Sequence, residues 1–121
     1  MLAACATTGS GGGGTVVSRA EARWNAIIAG DYSTAYQYYT PGYRSSHTPG
    51  DFEVAMRLRK VQIREVKFLE DNCEASVCTL KFETKYHVTS PVPGLDAWTS
   101  STKIEEKWVK TGGNWWYFPE D

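Results

Sequence analysis

Acid–base chemistry in this chain would rest on a few polar side chains set among apolar neighbours. If Cys73 is set opposite Cys78, strand alternation puts Glu65 and Lys67 on the face of Ile63, Leu69, Phe82, Tyr86 and Val88, and farther on Glu106 shares a face with Ile104 and Trp108. A carboxylate pressed against apolar groups holds its proton more tightly than in water. Glu65 or Glu106 is therefore a candidate acid or base near neutral pH, with Tyr36 or Tyr86 donating to a developing oxyanion. The same Glu65 and Lys67 also read as a solvated strand end or an ion pair. Asp31, directly after Gly30, reads as a helix cap, and His47 in a polar loop and His87 near a strand end read as surface residues.

The thiols carry a second kind of chemistry. Cys73 and Cys78 flank Glu74-Ala75-Ser76-Val77, a length suited to a hairpin turn whose flanking residues face each other. Pairing them would contribute roughly 2 kcal/mol by constraining the unfolded chain, and it requires an oxidising compartment. Two buried thiols are the alternative. A zinc site would need His47 and His87, and neither has ligand spacing. Gly11 to Gly14 is not a phosphate loop, because neither a strand before it nor Lys-Ser or Lys-Thr after it is present. No cofactor is expected.

Helices and strands must hold these groups in place. Val17, Ala20, Trp24, Ile27 and Ile28 recur at helical spacing between Thr15 and Ala29, and Gly30 ends that helix. Asp31 caps a second helix carrying Tyr32, Ala35, Tyr36 and Tyr39, which Pro41-Gly42 stops. Thr48 caps a third, with Pro49 in its first turn, Asp51 at the favourable dipole end, and Phe52, Ala55 and Met56 facing inward. Arg57, Arg59 and Lys60 close it and read as a solvated end.

Beyond Val61 the period shifts to two, and three or four strands follow. The register that pairs the cysteines sets Leu69 against Phe82, Ile63 against Val88, and Glu70 against Lys81 as an opposite-charge pair. Pro91, Pro93 and Gly94 make Thr89 to Ala97 a loop; a strand runs from about Trp98 to Lys110, Thr111-Gly112-Gly113-Asn114 turns, and Trp115 to Phe118 forms the last strand.

The first residues carry an address. Leu2-Ala3-Ala4-Cys5 has the pattern of a bacterial lipobox, in which small side chains fit a signal peptidase and a thiol accepts the lipid. Ala6 to Gly14 has the composition of a flexible tether. The expectation is a lipobox remnant and tether over residues 1–14 and a folded domain over 15–121. The protein would be held at the cell envelope by lipid on Cys5, at an outer membrane facing the periplasm where two membranes exist.

Composition narrows the field. A chain of 121 residues is one domain's worth, and 5 Trp, 7 Tyr and 4 Phe within 41% hydrophobic residues suffice for a core. Net charge of −1 excludes a general attraction to phosphate backbones, so nucleic acid is not an expected partner. No apolar run is long enough to span a bilayer.

Trp24, Ala29-Gly30-Asp31-Tyr32 with Ala35-Tyr36, the Pro41 to Arg44 segment, and Trp108-Val109-Lys110 turning into Trp115-Trp116 together resemble the nuclear transport factor 2-like superfamily, over about Thr15 to Phe118. The resemblance implies an α+β fold of three N-terminal helices packed on a curved antiparallel sheet, with a cone-shaped pocket between them. It also implies that homodimerisation through the outer sheet face is open to the chain. Trp24, Tyr36, Tyr39, Phe82, Tyr86 and Trp108 are the candidate lining of that pocket. The superfamily includes isomerases, cyclases, dehydratases and epoxide hydrolases alongside members without catalysis, so fold alone does not give function. The leading expectation is a non-enzymatic envelope protein that binds a small apolar ligand or a protein partner. An isomerase, cyclase or dehydratase using a pocket Glu and Tyr is the alternative. Cell-wall glycan binding on exposed tryptophan is the third reading.

Overall fold

The computed structural model describes residues 11–59, 61–88 and 98–119. Cys5 and the Thr89 to Ala97 loop lie outside them, as does most of the expected tether. The elements run α1 (Gly11–Ala29), α2 (Tyr32–Tyr36), α3 (Pro41–Ser46), α4 (Pro49–Arg57), β1 (Val61–Glu74), β2 (Val77–Val88), β3 (Trp98–Thr111) and β4 (Asn114–Phe118). Helices come first and a single antiparallel sheet of order β1-β2-β3-β4 follows.

The α+β class agrees with the sequence expectation, but the described residues form four helices where three are expected. Pro41 does not stop a helix; it starts one. Its missing N–H costs nothing in a first turn, and the Thr40 hydroxyl caps that turn by accepting from the Tyr43 amide at 3.2 Å. Tyr39 consequently leaves α2 and sits in a parallel bridge with Tyr117. There the Tyr117 amide donates to the Tyr38 carbonyl at 2.7 Å and the Thr40 amide to the Tyr117 carbonyl at 3.0 Å, which covers the free edge of β4. Helix α1 begins at Gly11, inside the glycine run assigned to the tether. Helix ends are the least sharply defined part of such an element.

Local signals act as the sequence implies at the other junctions. Gly30 adopts a left-handed backbone with φ 79°, and the Asp31 amide reaches back to the Ala26 carbonyl at 2.8 Å. Asp31 then caps α2, its carboxylate accepting from the Thr34 hydroxyl at 2.7 Å and amide at 3.3 Å. These bonds hold its pKa below the ordinary aspartate value. Thr48 caps α4 by accepting from the Asp51 amide at 3.1 Å.

In the sheet, Cys73 faces Cys78 and the two are joined by a disulfide. Glu70 faces Lys81, with the charges 3.8 Å apart. From there the expected register fails. Shifts between Phe68 and Glu70 and between Ile63 and Glu65 set Phe68 opposite Phe82 and Ile63 opposite Tyr86. Each shift inserts an unpaired residue into β1, and a one-residue slip in a strand moves every later side chain to the other face. Between the two shifts Val66 and Phe68 thus turn inward while Glu65 and Lys67 are exposed, and the second shift returns Ile63 to the inner face expected for it.

One core cluster joins α1 to the sheet: Val16, Ala20 and Trp24 against Cys78, Leu80, Phe82, Trp108 and Trp115. A second joins the short helices through Ala26, Ala35, Tyr36, Tyr39, Phe52 and Met56. The outer sheet face is charged, with Lys81 between Glu70 and Glu105, and Lys85 3.8 Å from Glu65. Among the described residues, no helix is long and apolar enough to cross a membrane.

Candidate functional site

Two polar arrangements lie inside the fold, and they differ in how far their charges are matched. The first centres on Glu106, whose side chain is only 3% exposed. Its position between Ile104 and Trp108 on β3 turns it inward, as alternation implies. Three donors converge on it. Oε2 accepts from Trp24 Nε1 at 2.6 Å and Arg23 Nη1 at 3.2 Å, and Oε1 accepts from Trp108 Nε1 at 3.1 Å.

Arg23 was not singled out in the sequence, although it occupies a position of the buried α1 stripe. Val16, Ala20, Arg23 and Ile27 follow at helical core spacing, and a cation at such a position requires a buried partner. Besides Glu106, its guanidinium donates to the Tyr39 hydroxyl at 2.9 Å and packs 3.7 Å from the Tyr117 ring centroid. Burial works against its charge, but Tyr39, Glu106 and Tyr117 outweigh that and leave its pKa above the ordinary value. Burial pushes the Tyr117 phenol up as well. Glu106 is the ion-pair partner of Arg23, engaged by three donors, and it is not among the residues lining the cavity described next.

The second arrangement is that cavity, of about 310 Å³, between α1, α4 and the start of β1. Trp24, Ile27 and Ile28 of α1, Tyr32 of α2 and Met56 of α4 supply an apolar wall, and Val61 and Ile63 of β1 complete it. Arg57, Arg59, Gln62 and Arg64 are its polar lining. No carboxylate, histidine or cysteine is among these residues.

Of the expected pocket residues, Trp24 lines this cavity. Phe82 and Trp108 are wholly buried in the core, and Tyr39 is committed to Arg23. Tyr36 lies under the short helices with its hydroxyl in reach of the Arg44 and His47 carbonyls, and Tyr86 is half-buried on β2, opposite the lining residue Ile63 but not itself in the lining. Glu65, expected on the inner face, is exposed on the outer one beside Lys85 because of the β1 bulge. The nominated glutamates and tyrosines are not brought together. The described residues also hold no cluster of three or more metal-ligating side chains.

Trp115 is buried and Trp116 half-exposed. Trp116 edges a shallow hollow with Arg19, Ser33, Thr34, Gln37 and Tyr38. Its ring has the Arg19 and Arg44 guanidinium carbons 5.0 and 5.1 Å from the centroid, so cations already occupy the surface on which a sugar would stack.

Comparison with solved structures identifies the architecture. A SEC-C motif containing protein from Rhodopseudomonas palustris superposes with a TM-score of 0.64 at 15% identity, covering 84% of this chain and 73% of the other. An NTF2-like transpeptidase from Campylobacter jejuni superposes at 0.58 with 8% identity, over 86% and 97%. The fold is nuclear transport factor 2-like. A protein from a Streptomyces species gives 0.55 at 13% identity, over 85% and 82%. At these identities the likeness concerns fold alone. No protein-family model matches the sequence, and no curated protein does. In this nuclear transport factor 2-like domain the cavity lies between the helices and the start of the sheet, and its lining belongs to this chain's own residues.

Proposed function

We propose that this protein is a non-enzymatic, lipid-anchored component of the cell envelope whose nuclear transport factor 2-like domain binds a small ligand with an apolar body in the cavity between α1, α4 and β1. The observation that carries the reading is the cavity lining: apolar side chains from three helices and a strand, three arginines and a glutamine that make most of its exposed surface polar, and no acid–base pair. Its volume stands near the lower end of the range of about 300–1,000 Å³ usual for small-molecule sites. The lipobox pattern at Cys5 supports anchoring, and the Cys73–Cys78 bridge suits an oxidising compartment.

Binding is tested with decanol, a neutral single-chain probe, followed by tryptophan fluorescence and by calorimetry. Decanol should bind the wild-type chain, and Ile27→Trp, which fills the cavity, should weaken it at least about ten-fold. Absence of binding to the wild type by every single-chain probe would end the ligand-binding reading. Anchoring is tested separately. Expressed behind a lipoprotein signal, the chain should incorporate labelled palmitate, and Cys5→Ala should abolish incorporation.

A further inference from the structure

Seven apolar or aromatic residues and four polar ones line the cavity, most of the surface it exposes is polar, and two of its cations have no matching anion among the described residues. Arg57, Arg59 and Arg64 all line it, in a chain whose net charge is −1. Arg57 is committed to Glu53, with Nη2 2.8 Å and Nε 2.9 Å from the same carboxylate oxygen. Arg64 makes a side-chain contact with the neutral Gln62 amide oxygen at 3.3 Å. Neither Arg59 nor Arg64 forms an ion pair among the described residues, whose ion pairs are Arg23–Glu106, Arg57–Glu53, Lys81–Glu70, Lys81–Glu105 and Lys85–Glu65.

The backbone brings these two residues to one cavity. Arg59 follows the C-terminal end of α4, whose last hydrogen bond runs from the Arg59 amide to the Met56 carbonyl. Arg64 is the residue left unpaired at the first β1 bulge, between Ile63 and Glu65. Val61, Gln62, Ile63 and Arg64 all line the cavity, so this end of β1 presents residues of both parities to it, with Arg64 at the bulge, where a side chain can be re-aimed. Beside the arginines, Leu58 is 75% and Val61 43% exposed, which continues the apolar surface from the cavity outward.

From this geometry we infer that the cavity takes an anionic amphiphile: a small molecule with one apolar chain or ring system in the pocket and a single carboxylate or phosphate head held by Arg59 and Arg64. The inference rests on the ligand-binding reading and adds the charge and orientation of the ligand. Guanidinium groups present forked donors that match carboxylate and phosphate oxygens, and such charge-assisted bonds are stronger than neutral ones. Leu58 and Val61 would cover the part of the ligand nearest its head.

The test measures binding of decanoate, decyl phosphate, decanol and decyltrimethylammonium to the full chain by calorimetry. Both anions should bind at least about ten-fold more tightly than decanol, the cation should bind most weakly, and the tighter anion identifies the head group. Arg59→Gln with Arg64→Gln should remove the anion preference, so that decanoate, decyl phosphate and decanol bind alike. Arg59→Lys should restore part of it, and Lys103→Gln on the exposed outer face should change nothing. Equal binding of decanol and the anions overturns the inference and leaves the ligand-binding reading standing. An anion preference that survives the double arginine substitution overturns the assigned site. Failure of all four probes to bind overturns both readings.

Discussion

The two ends of the β1–β2 ribbon are built on opposite principles. Toward its tip, the inner face is filled by Cys78, Leu80 and Trp108, none with exposed surface, and the strands are joined by the Cys73–Cys78 bridge. The charge buried there, on Arg23, has its counterion and three aromatic neighbours. At the other end, β1 is bulged at Arg64, the space beneath it is open, and Arg59 and Arg64 at the opening have no anion among the described residues. Helix α1 runs past both, packing Val16 and Ala20 on the filled end and lining the cavity with Ile27 and Ile28. The contrast teaches that matched buried charge serves the fold, whereas unmatched charge beside a cavity is available to a ligand.

The strongest way to break the comparison is to unmatch the filled end. Glu106→Gln leaves the Arg23 guanidinium buried beside a neutral amide, and removing one partner of a buried ion pair costs about 3–5 kcal/mol. Urea denaturation should report a loss of that size. Replacing both partners, Arg23→Met with Glu106→Leu, should recover most of it, since the apolar pair leaves no charge to solvate. If Glu106→Gln is neutral, the pair is not holding the domain together. Glu106 would then return as a candidate for chemistry.

The next effect is smaller. Cys73→Ala with Cys78→Ala removes the staple across the tip and should lower stability by about 2 kcal/mol, as expected for a short closed loop. Because the bridge is far along the ribbon from Arg64, decanol binding should persist in that variant. Loss of binding would mean that the tip and the cavity form one cooperative unit.

These two predictions also mark what could be read from the sequence. Caps at Asp31 and Thr48, the helix stop at Gly30, the Cys73–Cys78 pairing and the Glu70–Lys81 contact were legible because each depends on residues close in the chain or on strand pairing counted from one turn. The helix at Pro41 went unseen because Pro marks a first turn as readily as a stop. Alternation placed Glu106 correctly on β3 and Glu65 incorrectly on β1. The difference is the two bulges, which reverse the parity of the residues between them and whose only trace in the sequence is the broken alternation from Ile63 to Val66 and at Phe68-Leu69. The Arg23–Glu106 pair spans 83 residues, so spacing along the chain could expose only the unusual cation in the helical stripe. Arg57 and Arg59 read as a solvated helix end and Arg64 drew no reading, because Arg59 and Arg64 come to line one cavity only after the chain turns from α4 into β1.

The smallest expected change in stability is also the one that sharpens the contrast most. Arg59 and Arg64 are exposed and without ion partners among the described residues, so Arg59→Gln with Arg64→Gln should alter folding stability by no more than about 0.5 kcal/mol. The sign should lean toward a gain, because like charges around one opening repel each other and the substitutions relieve that repulsion. Differential urea melts of the wild type and the double variant, without added amphiphile, decide it. A loss approaching that of Glu106→Gln would show that these arginines support the fold as Arg23 does, and the two ends of the ribbon would no longer differ in kind. An unchanged melt together with a lost preference for decanoate over decanol would separate them: at the tip the charge is consumed by folding, and at the opening it is left for whatever enters.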